Sequence, residues 1–502
     1  MGSEPRWLVY KILRQPREGR LEPVLACRLS RYGRSMTLTN EAASWVEQTA
    51  GGKIVSSRLQ GRWRPHIYID LAKPDGEIEK LLLRYPRDPE LEQQSAFLSH
   101  FPIEHEASVL AALQGSGLLV PRFYGFNPSL RAILMSCVAG DSNLAALSGK
   151  EQRQAMRDYI DQLAQLHQLK FDLRAIPACV VPTTPEELAF SNKFGFVEHD
   201  HRAVKHQLRP EPLLDFALAW LHENVPQRRT ACCFVQGDTG PGQFMVDNGR
   251  VTALIDWELA HIGDPMIDLG VLRMRSMLYS SASINEHLRD YEVESGAPLD
   301  LDALKFYTVM SMLLSPLGMA LSVQQPDAGI STMMARLAWD ATLRRGLCEA
   351  LCEAHGIMVE PPPLPQAGPA SGLEGLLVRH LSDHCLPIAR DDQDRYLLAT
   401  AVGVARAIAL KENVGRDIEN HDLDDMALIL GRRPACRADG LAELSEFQVT
   451  RNRSRDLDLL WLFSRMSYRY EFLMRPVMVS QMSNSLEPLR PNELTRYAAA
   501  RN

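Results

Sequence analysis

No two CxxC motifs occur in this chain, and its nine cysteines are scattered. Cys232 and Cys233 are adjacent in an apolar run, and Cys348 and Cys352 stand one helical turn apart. Structural zinc sites need paired cysteine or histidine spacings, so none is expected. The N-terminal twenty residues lack the apolar core of a signal peptide. An odd cysteine count without an export signal predicts a reducing, cytoplasmic setting. Gly2 opens a myristoylation pattern, but Arg6 stands where that pattern wants Ser or Thr. The net charge of −7 is spread along the chain with no basic stripe, which argues against a nucleic-acid surface. No internal repeat occurs at solenoid periods. One run, residues 306–326, is uncharged and long enough to span a bilayer. It contains Pro316, Gly318, Thr308, serines and glutamines, so a buried core helix is expected and no membrane partner.

What is present fits a multidomain globular protein. The 502 residues exceed what one core ordinarily organises, and 45% hydrophobic with 23% charged residues is an ordinary balance. Residues 1–39 are polar with short apolar patches and form an extension without an assigned role. Residues 40–50 read as a helix. Residues 53–59 and 66–71 alternate as strands around the loop 60–65, and 79–85 is a third strand entered through Pro74, Asp75 and Gly76. Residues 104–114 are helical and stop at Gly115, and 132–138 is a further strand. Residues 40–138 thus predict a small lobe of sheet with one prominent helix. Residues 139–358 read as mainly helical, interrupted by strands within 231–256. The prolines at 361, 362, 363, 365 and 369 cannot continue a helix and form a spacer over 359–372. Beyond it, 373–502 holds amphipathic helices. Few contacts are expected across the spacer.

Chemistry concentrates in residues 232–265. An apolar strand ends at Gln236, Gly237 and Asp238, followed by a loop, Thr239 to Gly242, too rich in Gly and Pro for regular structure. Asn248-Gly249 is a hairpin signal between two strands, and the return strand ends at Asp256, Trp257 and Glu258. Asp238 and Asp256 are therefore expected at the same end of one small sheet. Aspartates beside hairpins often serve only as turn formers, and Asp247 reads that way. Two aspartates after apolar strands suit phosphoryl transfer instead. One can orient a hydroxyl and accept its proton, and the other can hold a divalent metal on nucleotide phosphates.

The segment resembles the aminoglycoside phosphotransferase and choline kinase-like superfamily, whose motif runs His-Gly-Asp-x-x-x-x-Asn and then Ile-Asp-Trp or Phe. Ile255 to Pro265 is similar to a subgroup that includes the kinase-like domain fused to some acyl-CoA dehydrogenases. The resemblance covers about residues 40–350. It implies an α+β, two-lobed protein-kinase-like fold, with a small β-rich lobe and a mainly helical lobe, followed by a separate C-terminal α-helical domain. It implies Mg²⁺ with ATP or GTP, Asp238 as catalytic base and Asp256 as metal ligand, with Gln243 and Glu258 as further metal residues. Arg84 would contact phosphates with Glu106 as its partner. Met135, Ser136, Cys137 and Val138 would cradle the base, and Arg62 in the atypical phosphate loop could bind phosphates or block the site. Asp264 and Asp268 are expected to cap and steady structure, and His167 to pack under the catalytic loop.

Two positions depart from the motif. Gln236 replaces its histidine, and Gln243 replaces the asparagine that ligates metal, with one methylene more. The partners implied are a nucleotide and a small-molecule hydroxyl substrate, with a hydroxyacyl-CoA pointed to by the subgroup. The alternative is a pseudokinase that binds nucleotide as a regulator or scaffold.

Overall fold

The computed structural model describes residues 38–494, apart from 61–64, 87–94, 171–175, 177–178, 191–192, 228–231, 280, 327–332, 391, 451–452 and 479–482. Thr39 accepts the Ala42 N–H and caps α1 (Asn40–Ala50), which ends on Gly51 in the left-handed region. Strands β1 (Lys53–Gln60), β2 (His66–Ala72) and β3 (Ile78–Arg84) follow. A short helix α2 (Ala96–His100) leads into α3 (Ile103–Leu113), then β4 (Phe123–Asn127) and β5 (Ala132–Ser136). The sheet is antiparallel in the order β1-β2-β3-β5-β4. Strand alternation gives it two faces. Ile67, Ile69, Leu71, Leu81, Leu83 and Leu134 pack against Ala42 and Val46 of α1. Ile133 and Met135 pack on the other face with Ile103, Ala107 and Leu110 of α3. β4, which was not anticipated, is half-buried along its length with a register irregularity at Phe123/Gly125, so it lacks an apolar alternation to read.

Asp141 and Val246 exchange both backbone hydrogen bonds, each 2.9 Å, and tie the inter-lobe segment to the helical lobe. That lobe begins with α4 (Gly149–Gln168), whose Ser148 and Glu151 form a reciprocal capping box. Next come α5 (Pro185–Phe190), α6 (Lys193–Val204) and α7 (Pro212–Glu223). Strands β6 (Cys233–Val235), β7 (Phe244–Asp247), β8 (Arg250–Leu254) and β9 (His261–Gly263) interrupt the helices. β7 pairs with β8 through the Asn248-Gly249 turn, but β6 pairs with β9 in a second two-stranded sheet. The expected single sheet is thus two sheets. β6 finds its partner in a three-residue strand beyond the hairpin, too short to show a period.

Asp264 caps α8 (Pro265–Leu278) through the Met266 N–H at 2.8 Å, with Pro265 at the first turn as expected. α9 (Ile284–Ser295), α10 (Leu301–Gln324) and α11 (Met333–Ala354) complete the lobe. α10 holds the uncharged run and is long and apolar enough to cross a membrane. Residues Phe306 to Leu313 on it are all buried, against α8, α11 and their neighbours.

The proline spacer has no regular secondary structure, and α12 (Gly372–Arg379), α13 (Asp392–Leu430), α14 (Arg437–Thr450) and α15 (Asp456–Met474) follow it. The expectation of few contacts across the spacer is overturned. Met426, Leu444, Leu460 and Phe463 share one apolar cluster with Leu347 and Leu351 of α11. Buried Arg345 reaches Glu471 at 2.7 Å and the Asn484 carbonyl at 2.7 Å. The helical region is seated on the lobe by core packing and buried ion pairs.

Candidate active site

β3 delivers Arg84. Leu81 and Leu83 face α1, so alternation turns Arg84 to the α3 side. There Glu106, buried in the first turn of α3, meets its Nε at 3.0 Å. The Nη2 of Arg84 lies 2.7 Å from Asp256 Oδ1 and 3.3 Å from Glu258 Oε2. One guanidinium from the sheet lobe therefore faces three carboxylates, two of them from the helical lobe. Burial alone would lower the Arg84 pKa, but Glu106, Asp256 and Glu258 outweigh it and raise it. Burial and then Glu258 push the Asp256 carboxyl up, while Arg84 pulls it down.

Asp256 follows β8 with φ 64° and ψ 58°, in the left-handed region that a short polar side chain tolerates. The turn is pinned by Trp257, which is fully buried and donates its indole N–H to the Leu254 carbonyl at 3.1 Å. This unusual backbone separates Asp256 from the strand direction and lets Asp256 and Glu258 reach the same guanidinium nitrogen.

The loop after β6 is held from below. Asp268 accepts the N–H groups of Gln236 and Gly237, both at 2.8 Å, and its carbonyl accepts the Thr239 hydroxyl at 2.5 Å. His167 lies 3.0 Å from the Asp268 carboxylate and 2.7 Å from the Tyr291 hydroxyl, as packing under the loop requires. Gln236, standing where the family motif has histidine, accepts the Tyr159 hydroxyl at 2.8 Å and donates to the Ile255 carbonyl at 3.0 Å. It joins the Asp238 loop to the end of the hairpin that carries Asp256. Gly237 has φ 81°, and a Cβ there would lie 2.2 Å from the Leu259 carbonyl oxygen, so only glycine fits.

Both oxygens of Asp238 are engaged. Oδ1 accepts from Arg275 Nη1 at 3.0 Å, and Oδ2 accepts from the Gln243 amide. Arg275 also donates Nε to the Pro241 carbonyl at 3.0 Å, clasping the loop. Buried Lys193 donates to the Gly237 carbonyl. Burial lowers its pKa, against the pull of Asp238 and Asp268. Lys193 and Arg275 were not singled out from the sequence. Arg275 could have been, because Asp268, Leu272 and Arg275 recur at helical spacing and one face of α8 addresses the loop. Lys193 arrives from forty-four residues upstream with no local signal.

Met135 and Ser136 end β5 of the sheet lobe, and Cys137 and Val138 follow it. Met135 is buried on the α3 side of β5, and Ser136 and Cys137 donate their N–H groups to the Arg122 and Lys80 carbonyls, both at 2.9 Å. Val138 follows as the first residue past the strand pairing. Arg62 lies outside the described residues.

Among the described residues, no group of three His, Cys, Asp or Glu gathers as a metal cage. The residues expected to hold a metal are two carboxylates and an amide. Asp256 and Glu258 converge on one cationic nitrogen, and Gln243, with its NH₂ turned to Asp238, keeps its carbonyl oxygen as acceptor. These are hard oxygen donors, which suits a small divalent cation that also binds phosphate and water.

Residues 75–307 match the model described as the phosphotransferase enzyme family. Among curated proteins, the chain is similar to mouse (Mus musculus) acyl-CoA dehydrogenase family member 11, 25% identical over 218 residues, covering 41% of this chain and 25% of that protein. It is also similar to mouse acyl-CoA dehydrogenase family member 10, 27% identical over 172 residues, covering 27% of this chain and 15% of that protein. The chain thus spans a quarter or less of the length of these relatives. Similar solved structures include a macrolide 2'-phosphotransferase from Brachybacterium faecium, 20% identical with a TM-score of 0.42, covering 61% of this chain and 98% of that one. A choline/ethanolamine kinase family protein from Mesorhizobium loti is 16% identical with a TM-score of 0.42, covering 61% of this chain and 95% of that one.

Proposed function

From the match of residues 75–307 to the phosphotransferase enzyme family, we propose that this chain moves the γ-phosphate of ATP or GTP to a hydroxyl of a small molecule. The observation that carries this reading is the Glu106–Arg84–Asp256 contact chain, which brings a cation of the sheet lobe to the carboxylates of the helical lobe, beside Asp238. Asp238 orients the acceptor hydroxyl and takes its proton as the oxygen attacks the γ-phosphorus and the bond to the bridging oxygen breaks. Gln243 and Arg275 aim its carboxylate. Arg84, held by Glu106, offers its charge to the phosphates. Asp256, with Glu258 and the Gln243 carbonyl, would hold Mg²⁺, which supplies charge neutralisation on the nucleotide phosphates. The segment Met135 to Val138 borders the base, and Arg62 is assigned to the phosphates.

The acceptor class follows from the curated relatives only as a starting point: a hydroxyacyl-CoA is the first acceptor to try. A second reading, a nucleotide-binding regulator without transfer, is favoured by one observation: both oxygens of Asp238 are already engaged. Incubation with ATP or GTP, Mg²⁺ and a panel of hydroxyacyl-CoA esters, amino alcohols and aminoglycosides decides between them. A product heavier by one phosphoryl group is expected. Tight nucleotide binding with no transfer to any acceptor would move the assignment to the second reading.

A further inference from the structure

The two lobes are also joined away from the inter-lobe segment and from Arg84. Helix α2 of the sheet lobe rests on α6 of the helical lobe. The Asp200 carboxylate, on α6, accepts the Ala96 N–H at 2.7 Å, the Phe97 N–H at 3.2 Å and the Ser95 hydroxyl at 2.5 Å. Ser95 in turn accepts the Leu98 N–H at 3.1 Å. The start of α2 is thus held by a side chain from the opposite lobe. One turn earlier on α6, Phe196 stacks on His100 with ring centroids 3.8 Å apart and meets Phe101 edge-on at 6.1 Å.

This joint connects at both ends to the residues assigned to phosphoryl transfer. Phe101 and Pro102 alone separate α2 from α3. Phe101 packs on His105 at 5.6 Å, and the next residue is Glu106, the partner of Arg84. His105 also reaches the Ala260 carbonyl at 2.7 Å, just past the turn that carries Asp256 and Glu258. At its other end, α6 begins with Lys193, bound to the Gly237 carbonyl beside Asp238. A displacement of α2 from α6 would carry the first turn of α3 with it, and Glu106 with that.

We propose that Asp200 is a positioning residue for phosphoryl transfer: by clasping α2 to α6 it holds Glu106 and Arg84 in register with Asp256. The inference rests on the proposed function, because register between these residues has meaning only for a bound nucleotide. Asp200 is part-exposed, with 28% of its side chain accessible, and its partners are polar groups that water can serve when it is removed. Its loss should therefore act on the relation between the lobes more than on folding.

The test is a double-mutant cycle on Asp200 and Glu106, read by titration of Mg·ATP and by thermal melting of the full chain. Asp200→Ala should weaken nucleotide binding about tenfold with little change in melting. Asp200→Asn keeps an acceptor oxygen for the α2 N–H groups and should stay within about threefold of wild type. Glu106→Gln should weaken binding by itself. Adding Asp200→Ala to Glu106→Gln should then cost little more, because both act through one arrangement. Wild-type affinity in Asp200→Ala, or additive losses in the double variant, would overturn the proposal and leave the phosphotransferase reading intact. Equal losses in Asp200→Asn and Asp200→Ala would also overturn it, since capping would not be the cause. Absence of nucleotide binding in the wild type would overturn the functional reading, and this inference with it.

Discussion

At Asp238 the two carboxylate oxygens have different companions, and each suggests a measurement. Oδ1 is held by a charged guanidinium and Oδ2 by a neutral amide. Asp238→Asn keeps the volume and removes the proton acceptor. Turnover should fall by about 10²- to 10⁴-fold, with nucleotide affinity within about threefold of wild type. Turnover within about tenfold of wild type would show that another group takes the proton. Gln243 tests the neighbouring contact. Its reach to Asp238 uses the extra methylene that separates it from the motif's asparagine. Gln243→Asn should pull the amide off Asp238 and reduce turnover by about tenfold. Higher turnover in that variant would mark Gln243 as a decayed ligand and favour the regulatory reading. The motif positions themselves were legible in the sequence, because Gly, Pro and Asn-Gly punctuate them. The Arg275 contact was not read, because it joins a helix face to a loop nearly forty residues away.

At the scale of elements, Arg84 ties β3 to both α3 and the turn after β8. Removing it leaves buried Glu106 and part-exposed Asp256 and Glu258 facing one another without a cation. Arg84→Met should destabilise the fold by about 3–5 kcal/mol in chemical denaturation, the range for breaking a buried ion pair from one side. Arg84→Lys should recover part of that, since an ammonium keeps the charge but cannot span the three carboxylates with one planar fork. A loss under about 1 kcal/mol in Arg84→Met would mean that the carboxylates take up protons instead. Helix α9 offers a pH test. Burial lowers the His287 pKa from 6.5 to about 4. Between those values the unfolded chain binds a proton that the folded chain refuses, so stability should fall as pH drops through that window. His287→Gln should flatten the slope of unfolding free energy there, and an unchanged slope would exclude His287 as its source. Elements with punctuation were readable: Asp264-Pro265 before α8, Asn248-Gly249 between β7 and β8. Pairing was not. β6 bonds to β9 across an intervening hairpin, and nothing in three residues of His261 to Gly263 announces a strand.

For the whole molecule, the proline spacer misleads in an instructive way. A run that cannot be helical reads as a boundary where few contacts cross. The spacer itself is not helical, but the helices beyond return to the lobe they left. Apolar burial explains why. α11 presents Leu347, Cys348 and Leu351 on one side, and these lie in the same core as Leu460 and Phe463 of α15. Phe463 meets Phe216 of α7 with centroids 5.9 Å apart. The polar contacts are equally committed. Arg345 pairs with Glu471, and Arg273 on α8 donates to the Glu487 carbonyl at 3.1 Å. Glu487 itself accepts from the Ser283 hydroxyl and the Ile284 N–H, both at 2.7 Å, at the start of α9. A chain ending at Glu360 would therefore expose one side of α11 and strip Arg345 of Glu471 and the Asn484 carbonyl, with Glu349 left as its partner. It should be insoluble, or soluble without a cooperative melt, although residues 75–307 would be intact. Glu471→Gln in the full chain separates the two causes. It keeps the volume and removes one of the two carboxylates on Arg345, with Glu349 left in place, so it should lower stability by about 2 kcal/mol while remaining soluble. A shortened chain that melts cooperatively near the full-length temperature would show that the helical region is an accessory, and that the shared core contributes nothing the two lobes need.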